Sequence, residues 1–241
     1  NVWALDTVIS PITSSNGQSM NYGFNPSFSL SHDGNTIAFG VPRLSYYSES
    51  GYINIYTYDG SSWSQKGETI IGTENKMNLG WNMSLSRDGT KIAAGGPSHN
   101  NNNYKGKVLT YEYSTQENKW VQFGDDITSK YYDSNGNKFG IEVDFNDDGD
   151  VIAVGSLSKT EIFRLEDNTW KHFGSLGDSY NQSVLNNIAL SSDGNTILLG
   201  YPLYECNTST SYRCEGKAQV FRYSDNSWKQ IGSDISPEIE D

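Results

Sequence analysis

A net charge of −12 and a pI near 4.6, with no Lys/Arg cluster to neutralise several phosphates at once, exclude nucleic acid as a partner of this 241-residue chain. No apolar run approaches the roughly 18 residues that a membrane span requires, so no membrane insertion is expected. The composition is 35% hydrophobic, 13% aromatic and only 19% charged, with 24 glycines, which suits one all-β domain rich in turns; helix signals are absent.

Residues 1 to 12, NVWALDTVISPI, place Trp3 ahead of an apolar stretch, a pattern that returns at the end of every later unit. They read as the outer strand of a preceding or seam blade. From Phe24 the chain becomes repetitive, with FNPSFSLSHDGNTIAFG followed by LGWNMSLSRDGTKIAAG from Leu79, FGIEVDFNDDGDVIAVG from Phe139 and VLNNIALSSDGNTILLG from Val184. Aligned on Asp33, Asp88, Asp148 and Asp193, each copy alternates with period two before the Asp-Gly and is apolar throughout after it. This predicts a strand, a tight turn at residues tolerant of positive φ, and a second strand buried on both faces.

A third strand follows in each unit, as in Ile53 to Tyr58 and Val108 to Tyr113, then a polar turn and a tryptophan: Trp63, Trp120, Trp170 and Trp228. Beyond it comes x-x-x-Gly and usually Ile. Four antiparallel strands per unit, repeated at about the interval of a propeller blade, predict a β-propeller, and the aligned Trp and Asp-Gly positions weigh against a β-sandwich. The blades are expected at about residues 22 to 71, 72 to 128, 129 to 178 and 179 to 241. The domain from residue 13 to 241 is then either a section of a larger propeller or a four-bladed ring with an extra strand at its seam.

Two sets of loops vary in length and sequence and emerge on one face of such a ring. They carry Tyr46, Tyr47, Tyr104, Tyr131, Tyr132 and Tyr204, and the run Asn100 to Asn103. Tyr and Asn offer contact area at low entropic cost and adaptable hydrogen bonding, so these tyrosines are the candidate binding residues. The alternative is rings lying on blade edges beneath solvated loops. Cys206 and Cys214, the two cysteines of the chain, bracket the longest variable loop and are expected to form a disulfide, with two free thiols as the alternative. Asn82, Asn181 and Asn207 open N-x-Ser sequons, with Asn82 expected to be covered by a neighbouring blade. Disulfide and sequons together imply an extracellular or cell-surface protein.

The succession of Phe-Gly, alternating strand, Asp-Gly, apolar run, Gly and Pro (Pro42, Pro97, Pro202) resembles the FG-GAP repeat of integrin-α-like β-propellers over about residues 22 to 235. The resemblance implies that hairpin loops of this kind can hold calcium through oxygen ligands at alternate positions. The third copy offers Asp144, Asn146, Asp148 and Asp150. It has one residue fewer than the metal-binding form and lacks the final Asp, so a plain hairpin is the leading expectation and no other cofactor is foreseen.

Catalysis finds little support in this reading. His32, His99 and His172 are scattered, and the serines of the first strands alternate with apolar residues as small side chains between blades would. The chain is therefore expected to be a non-catalytic binding or adhesion module that presents variable loops to a protein or glycan. The alternative is a structural subunit of an extracellular filament, matrix or surface layer that binds copies of itself head to tail.

Overall fold

The computed structural model describes residues 27 to 42, 50 to 97, 106 to 131, 138 to 157, 159 to 177, 187 to 202 and 216 to 236. These residues form four antiparallel sheets and, among them, no helix. The first sheet contains β1 (Ser27–Leu30), β2 (Thr36–Val41), β3 (Tyr52–Tyr58), β4 (Trp63–Gln65) and β5 (Ile70–Ile71), the last returning to pair with β3. The second contains β6 (Met83–Leu85), β7 (Lys91–Gly96), β8 (Lys107–Ser114) and β9 (Lys119–Gln122). The third contains β10 (Glu142–Phe145), β11 (Val151–Gly155), β12 (Thr160–Glu166) and β13 (Thr169–Leu176). The fourth contains β14 (Asn187–Leu190), β15 (Thr196–Tyr201), β16 (Lys217–Ser224) and β17 (Ser227–Gln230).

Each sheet is a meander in which consecutive strands pair. The first strands, β1, β6, β10 and β14, pack on one another in succession, so they are the inner strands of the four blades. The outermost strand is interrupted near its glycine in three blades, and shifts register there in the third, before pairing again with the third strand through Ile70, Ile127, Leu176 and Ile235, which explains the aliphatic residue that recurs after each Trp-x-x-x-Gly.

The two hairpin types invert the expectation drawn from Asp-Gly. Among the paired positions only the glycines Gly34, Gly89, Gly149 and Gly194 have positive φ, and Ser31 N–H donates to the Thr36 carbonyl across a four-residue loop. Asp33 contributes through its side chain: its carboxylate accepts from Ser31 Oγ (2.6 Å) and Asn35 N–H (2.9 Å). The two-residue turns lie before Trp170 and Trp228, where Asp167-Asn168 and Asp225-Asn226 both take positive φ. The inner strand of the third repeat is also shorter than its alternation predicts. Gly140, at φ 92°, breaks the extended chain after buried Phe139, and β10 begins at Glu142.

Three apolar cores lie between successive blades rather than within them. The core between the first two contains Ala38, Ile53 and Ile55 from one blade and Met83, Leu85, Ile92 and Trp120 from the next. The same positions recur in the two cores that follow, from Ala93 and Val108 against Val143, Phe145 and Trp170, to Ala153 and Ile162 against Ile188, Leu190 and Trp228. The repeated Trp and Gly belong to this contact. A Cβ at Gly67 would lie 3.0 Å from Trp120, one at Gly124 2.5 Å from Trp170, and one at Gly174 2.5 Å from Trp228. Each tryptophan therefore covers the outer-strand glycine of the preceding blade, and the indole N–H of Trp120 donates to the Lys66 carbonyl (2.7 Å).

Candidate functional site

The inner strands carry mostly polar residues at every second position, and several of these side chains bond to the next blade. Ser29 Oγ accepts from Leu85 N–H (2.9 Å) and Ser84 Oγ from Phe145 N–H (3.1 Å), while the Asp144 carboxylate accepts from Leu190 N–H (2.7 Å). One turn of the alternation away, Asn82 Oδ1 accepts from Val143 N–H (3.1 Å). Small polar residues at these sites thus do more than permit close packing; they satisfy the edge amides of the neighbouring inner strand.

In the third blade this row becomes acidic. Glu142 stands where the other blades have Ser27, Asn82 and Asn187, and Asp144 where they have Ser29, Ser84 and Ala189. Glu142 accepts from Asn82 Nδ2–H (3.1 Å), and Asp144 accepts from Ser84 Oγ–H (2.9 Å). Burial pushes the Glu142 carboxyl up to about 7, with the neighbouring Asp144 charge adding to the effect. Burial also raises Asp144, opposed by its hydrogen bonds from Leu190, Ser84 and Phe145. A carboxyl that is partly ionised near neutral pH beside one held by several donors is suited to proton transfer.

A second polar cluster lies at the start of β12. Glu161 is buried and accepts from Ser129 Oγ (2.5 Å) and Lys130 N–H (3.1 Å). His172 Nε2 lies 2.9 Å from Ser175 Oγ and 3.7 Å from Glu161 Oε2. Both partners face the same ring nitrogen, whereas a nucleophile relay needs the acid on one nitrogen and the hydroxyl on the other. Burial lowers the His172 pKa. This cluster orders the loop between the second and third blades and forms no triad.

The predicted metal ligands are divided by the hairpin. Asp144 serves the inter-blade row, whereas Asn146 Oδ1 accepts from Asp150 N–H (3.0 Å) and Val151 N–H (2.9 Å), and its Nδ2–H donates to Asp150 Oδ1 (2.7 Å). Asp148 offers its carbonyl to Lys91 Nζ (2.9 Å). Asn146 thereby does what Ser31, Ser86 and Ser191 do in the other turns. Among the described residues no three His, Cys, Asp or Glu side chains gather to hold a metal ion.

Of the candidate binding tyrosines, Tyr131 is described: its hydroxyl accepts from Ser175 Oγ (3.2 Å), and the Lys159 ammonium lies 4.0 Å from its ring centroid. Tyr46, Tyr47, Tyr104, Tyr132 and Tyr204 lie outside the described residues, as do Cys206, Cys214, Asn181, Asn207 and the segment 1 to 12. Asn82 is half-buried, with its amide engaged by the third blade. Glu142 was not singled out by sequence reasoning, although the aligned repeats already set Glu142 and Asp144 against Ser, Asn and Ala.

No family model matches the chain, and no curated protein matches it. Solved structures do. A Bacteroides uniformis protein with a provisional 6-phosphogluconolactonase name is 16% identical at a TM-score of 0.56, over 88% of this chain and 55% of its own. The periplasmic gluconolactonase of Pseudomonas aeruginosa is 13% identical at 0.58, over 89% and 58%. KlAtg21, solved in complex with the coiled-coil of AgAtg16, is 16% identical at 0.58, over 88% and 58%. The fold is a β-propeller. The chain spans just over half the length of these neighbours.

Two expectations are corrected by these findings. The FG-GAP resemblance located the propeller repeat, but no family model matches, and the structural neighbours include lactonase-like propellers with four-stranded antiparallel sheets. The expectation of a non-catalytic adhesion module, with a structural filament subunit as its alternative, is overturned by the lactonase names among those neighbours. That expectation weighs the serines, histidines and acids for a Ser-His-Asp pattern or a metal site, and does not consider a general-base carboxyl on an inner strand. Acid–base chemistry needs only a carboxyl of suitable pKa, and inner-strand carboxyls give no local sequence motif.

Proposed function

We propose that the chain is part of a β-propeller hydrolase whose inner strands open a sugar lactone or similar cyclic ester, with Glu142 as general base and acid. The observation that carries this reading is the Glu142 carboxyl, raised to about 7 on an inner strand beside Asp144. Its ionised form takes a proton from water as the water oxygen bonds to the lactone carbonyl carbon. The same proton then passes from Glu142 to the ring oxygen as the ring C–O bond breaks, leaving a hydroxy acid. Asn82 Nδ2–H fixes one carboxyl oxygen, and Asp144, held by Ser84 and Leu190, keeps the local field negative and Glu142 basic.

Support for the substrate class comes from the lactonase names of two neighbours sharing the fold, at an identity that speaks to fold alone. The test is proton release from glucono-δ-lactone by the 241-residue chain between pH 5.5 and 8.5. The rate is expected to rise through about pH 7, and Glu142→Gln to lower kcat/KM by about 100-fold or more. Wild-type turnover equal to buffer, or equal to that of Glu142→Gln, refutes the reading.

A further inference from the structure

The five Asp-Gly pairs of the chain, Asp33-Gly34, Asp59-Gly60, Asp88-Gly89, Asp148-Gly149 and Asp193-Gly194, all lie among the described residues. Each aspartate is exposed, so access to water does not separate them. What separates them is how the carboxylate is held. In the first hairpin Asp33 accepts from Ser31 Oγ–H (2.6 Å), Asn35 N–H (2.9 Å) and Asn35 Nδ2–H (3.0 Å). In the second, Asp88 accepts from Ser86 Oγ–H (2.7 Å), Thr90 N–H (3.0 Å) and Thr90 Oγ1–H (2.8 Å). In the fourth, Asp193 accepts from Ser191 Oγ–H (2.6 Å) and Asn195 N–H (3.0 Å). Asp59, in the turn before Trp63, accepts from the N–H groups of Ser61 and Ser62 and from Ser61 Oγ–H, each at 2.8 Å. Such donors, Ser31 Oγ–H foremost for Asp33 and Ser62 N–H for Asp59, hold these two carboxyls down to about 2.

The third hairpin has Asn146 where the other three have serine. Its side chain is one bond longer, and its Oδ1 reaches the Asp150 N–H (3.0 Å). In the other hairpins the amide at this place donates to the aspartate of the Asp-Gly pair. Asn146 Nδ2–H donates to Asp150 Oδ1 (2.7 Å) and not to Asp148. Among the described residues no group donates to the Asp148 carboxylate; its carbonyl alone is engaged, by Lys91 Nζ. The backbone is common to all four hairpins: Gly149 N–H donates to the Asn146 carbonyl (3.1 Å), as Gly34, Gly89 and Gly194 donate to Ser31, Ser86 and Ser191. The tether on the carboxylate is therefore what the third hairpin lacks.

We propose that Asp148-Gly149 is a site of spontaneous covalent modification in the folded protein, where aspartate converts to isoaspartate through a succinimide. The Gly149 nitrogen bonds to Cγ of the neutral Asp148 carboxyl, and its proton leaves with the carboxyl hydroxyl as water, closing a five-membered imide. Water then adds to one of the two imide carbonyls and its bond to nitrogen breaks. Opening at Cγ restores aspartate; opening at the main-chain carbonyl leaves the chain running through Cβ and Cγ. One water is released and one taken up, with no oxidant or reductant. A tethered carboxylate must first leave its donors, and each bond to an ionised group slows the reaction by about tenfold or more. The product lengthens a loop that ties the third blade to both neighbours, through Arg87 N–H to the Asp147 carbonyl (2.9 Å) and Asp147 N–H to the Ser192 carbonyl (3.1 Å). This inference rests on the hairpins alone and stands or falls separately from lactone hydrolysis.

The test follows the 241-residue chain in heavy-oxygen water at neutral pH, because each passage through the succinimide takes one oxygen from water. Digestion in ordinary water and peptide mass spectrometry then read label and isoaspartate at each of the five pairs. In the folded protein Asp148 is expected to take up label at least about tenfold faster than any of the other four, and in urea all five are expected to agree within about threefold. Two exchanges move the tether. Asn146→Ser gives the third hairpin the serine of the others and is expected to slow Asp148 to their level. Ser191→Asn gives the fourth hairpin the asparagine of the third and is expected to bring Asp193 up to the rate of Asp148. Equal rates in the folded chain, no label at any of the five, a lead of Asp148 that persists in urea, or a folded Asn146→Ser without effect each overturns the proposal. Should either variant not fold, the comparison of folded with unfolded wild type decides alone.

Discussion

Replacing Glu142 by Gln keeps the side chain's shape and its acceptor for Asn82 Nδ2–H while removing its titration. In the folded protein the carboxyl ionises at about 7, against an ordinary value of 4.5 in the unfolded chain. Between those values the native state binds more protons than the unfolded state, so stability falls as pH rises. The contribution of the protonated group is complete below pH 4.5 and lost as pH passes through 7. At about 1.4 kcal/mol per pH unit over that interval the full penalty would be about 3 kcal/mol, and solvent screening at a half-buried site reduces it to roughly 1.5 to 2 kcal/mol. For a chain of this size that is a difference of roughly 3 to 8 °C in Tm. Thermal unfolding followed by circular dichroism is therefore expected to show the two proteins alike near pH 4.5, with Glu142→Gln gaining that margin by pH 8.5. A difference constant across this range would mean that Glu142 titrates as an ordinary exposed carboxylate, and the argument for its role would fall with it.

Two further substitutions test the inter-blade contacts and the hairpin staple. Gly124→Ala combines a φ of 66° with a Cβ 2.5 Å from the Trp170 indole nitrogen, whereas Gly232→Ala has the same backbone demand in open space. Urea midpoints should place Gly124→Ala below Gly232→Ala by about 1 to 3 kcal/mol, the cost of overpacking; equal losses would show that the Trp-on-Gly contact contributes nothing. Asn146→Ser should be tolerated within about 1 kcal/mol, because a serine hydroxyl receives the corresponding amide in the other three turns. Asn146→Ala leaves the buried Val151 amide without its acceptor and should cost about 1 to 3 kcal/mol in the same assay.

The strands were legible because their signals are local. Alternation in Val143-Asp144-Phe145 and the apolar run Val151-Ile152-Ala153-Val154 follow from which faces a blade buries, and the pattern occurs in four copies. The turns were half legible: Asp-Gly marks the bend, but a sequence does not distinguish an Asp that adopts positive φ from one, like Asp33, that staples the loop through its carboxylate. Phe139 was assigned to a strand because it is apolar at an even spacing from Val143, and only the backbone path through Gly140 shows that it enters the core from the preceding loop. Glu142 was hidden for a different reason. Its raised pKa arises from burial against a strand about 60 residues away, and Asn82, the partner that holds it, looked from its own surroundings like a glycosylation acceptor.

The same serine and asparagine row serves both the fold and the candidate site, and this constrains how chemistry can arise on it. A first-strand side chain must accept a hydrogen bond from the next inner strand, a demand that Ser29, Ser84, Asn82 and Asp144 all meet. An aspartate meets it as well as a serine does, with a second oxygen to spare for Ser84. Acidic residues can therefore replace Ser or Asn in one blade without losing the inter-blade hydrogen bond, provided the neighbouring blade supplies donors. The third blade carries acids at both positions: Asp144 keeps the bond to the next inner strand, and the half-buried Glu142, with Asn82 of the preceding blade as its donor and Asp144 beside it, is where that exchange changes the electrostatics of the inner wall.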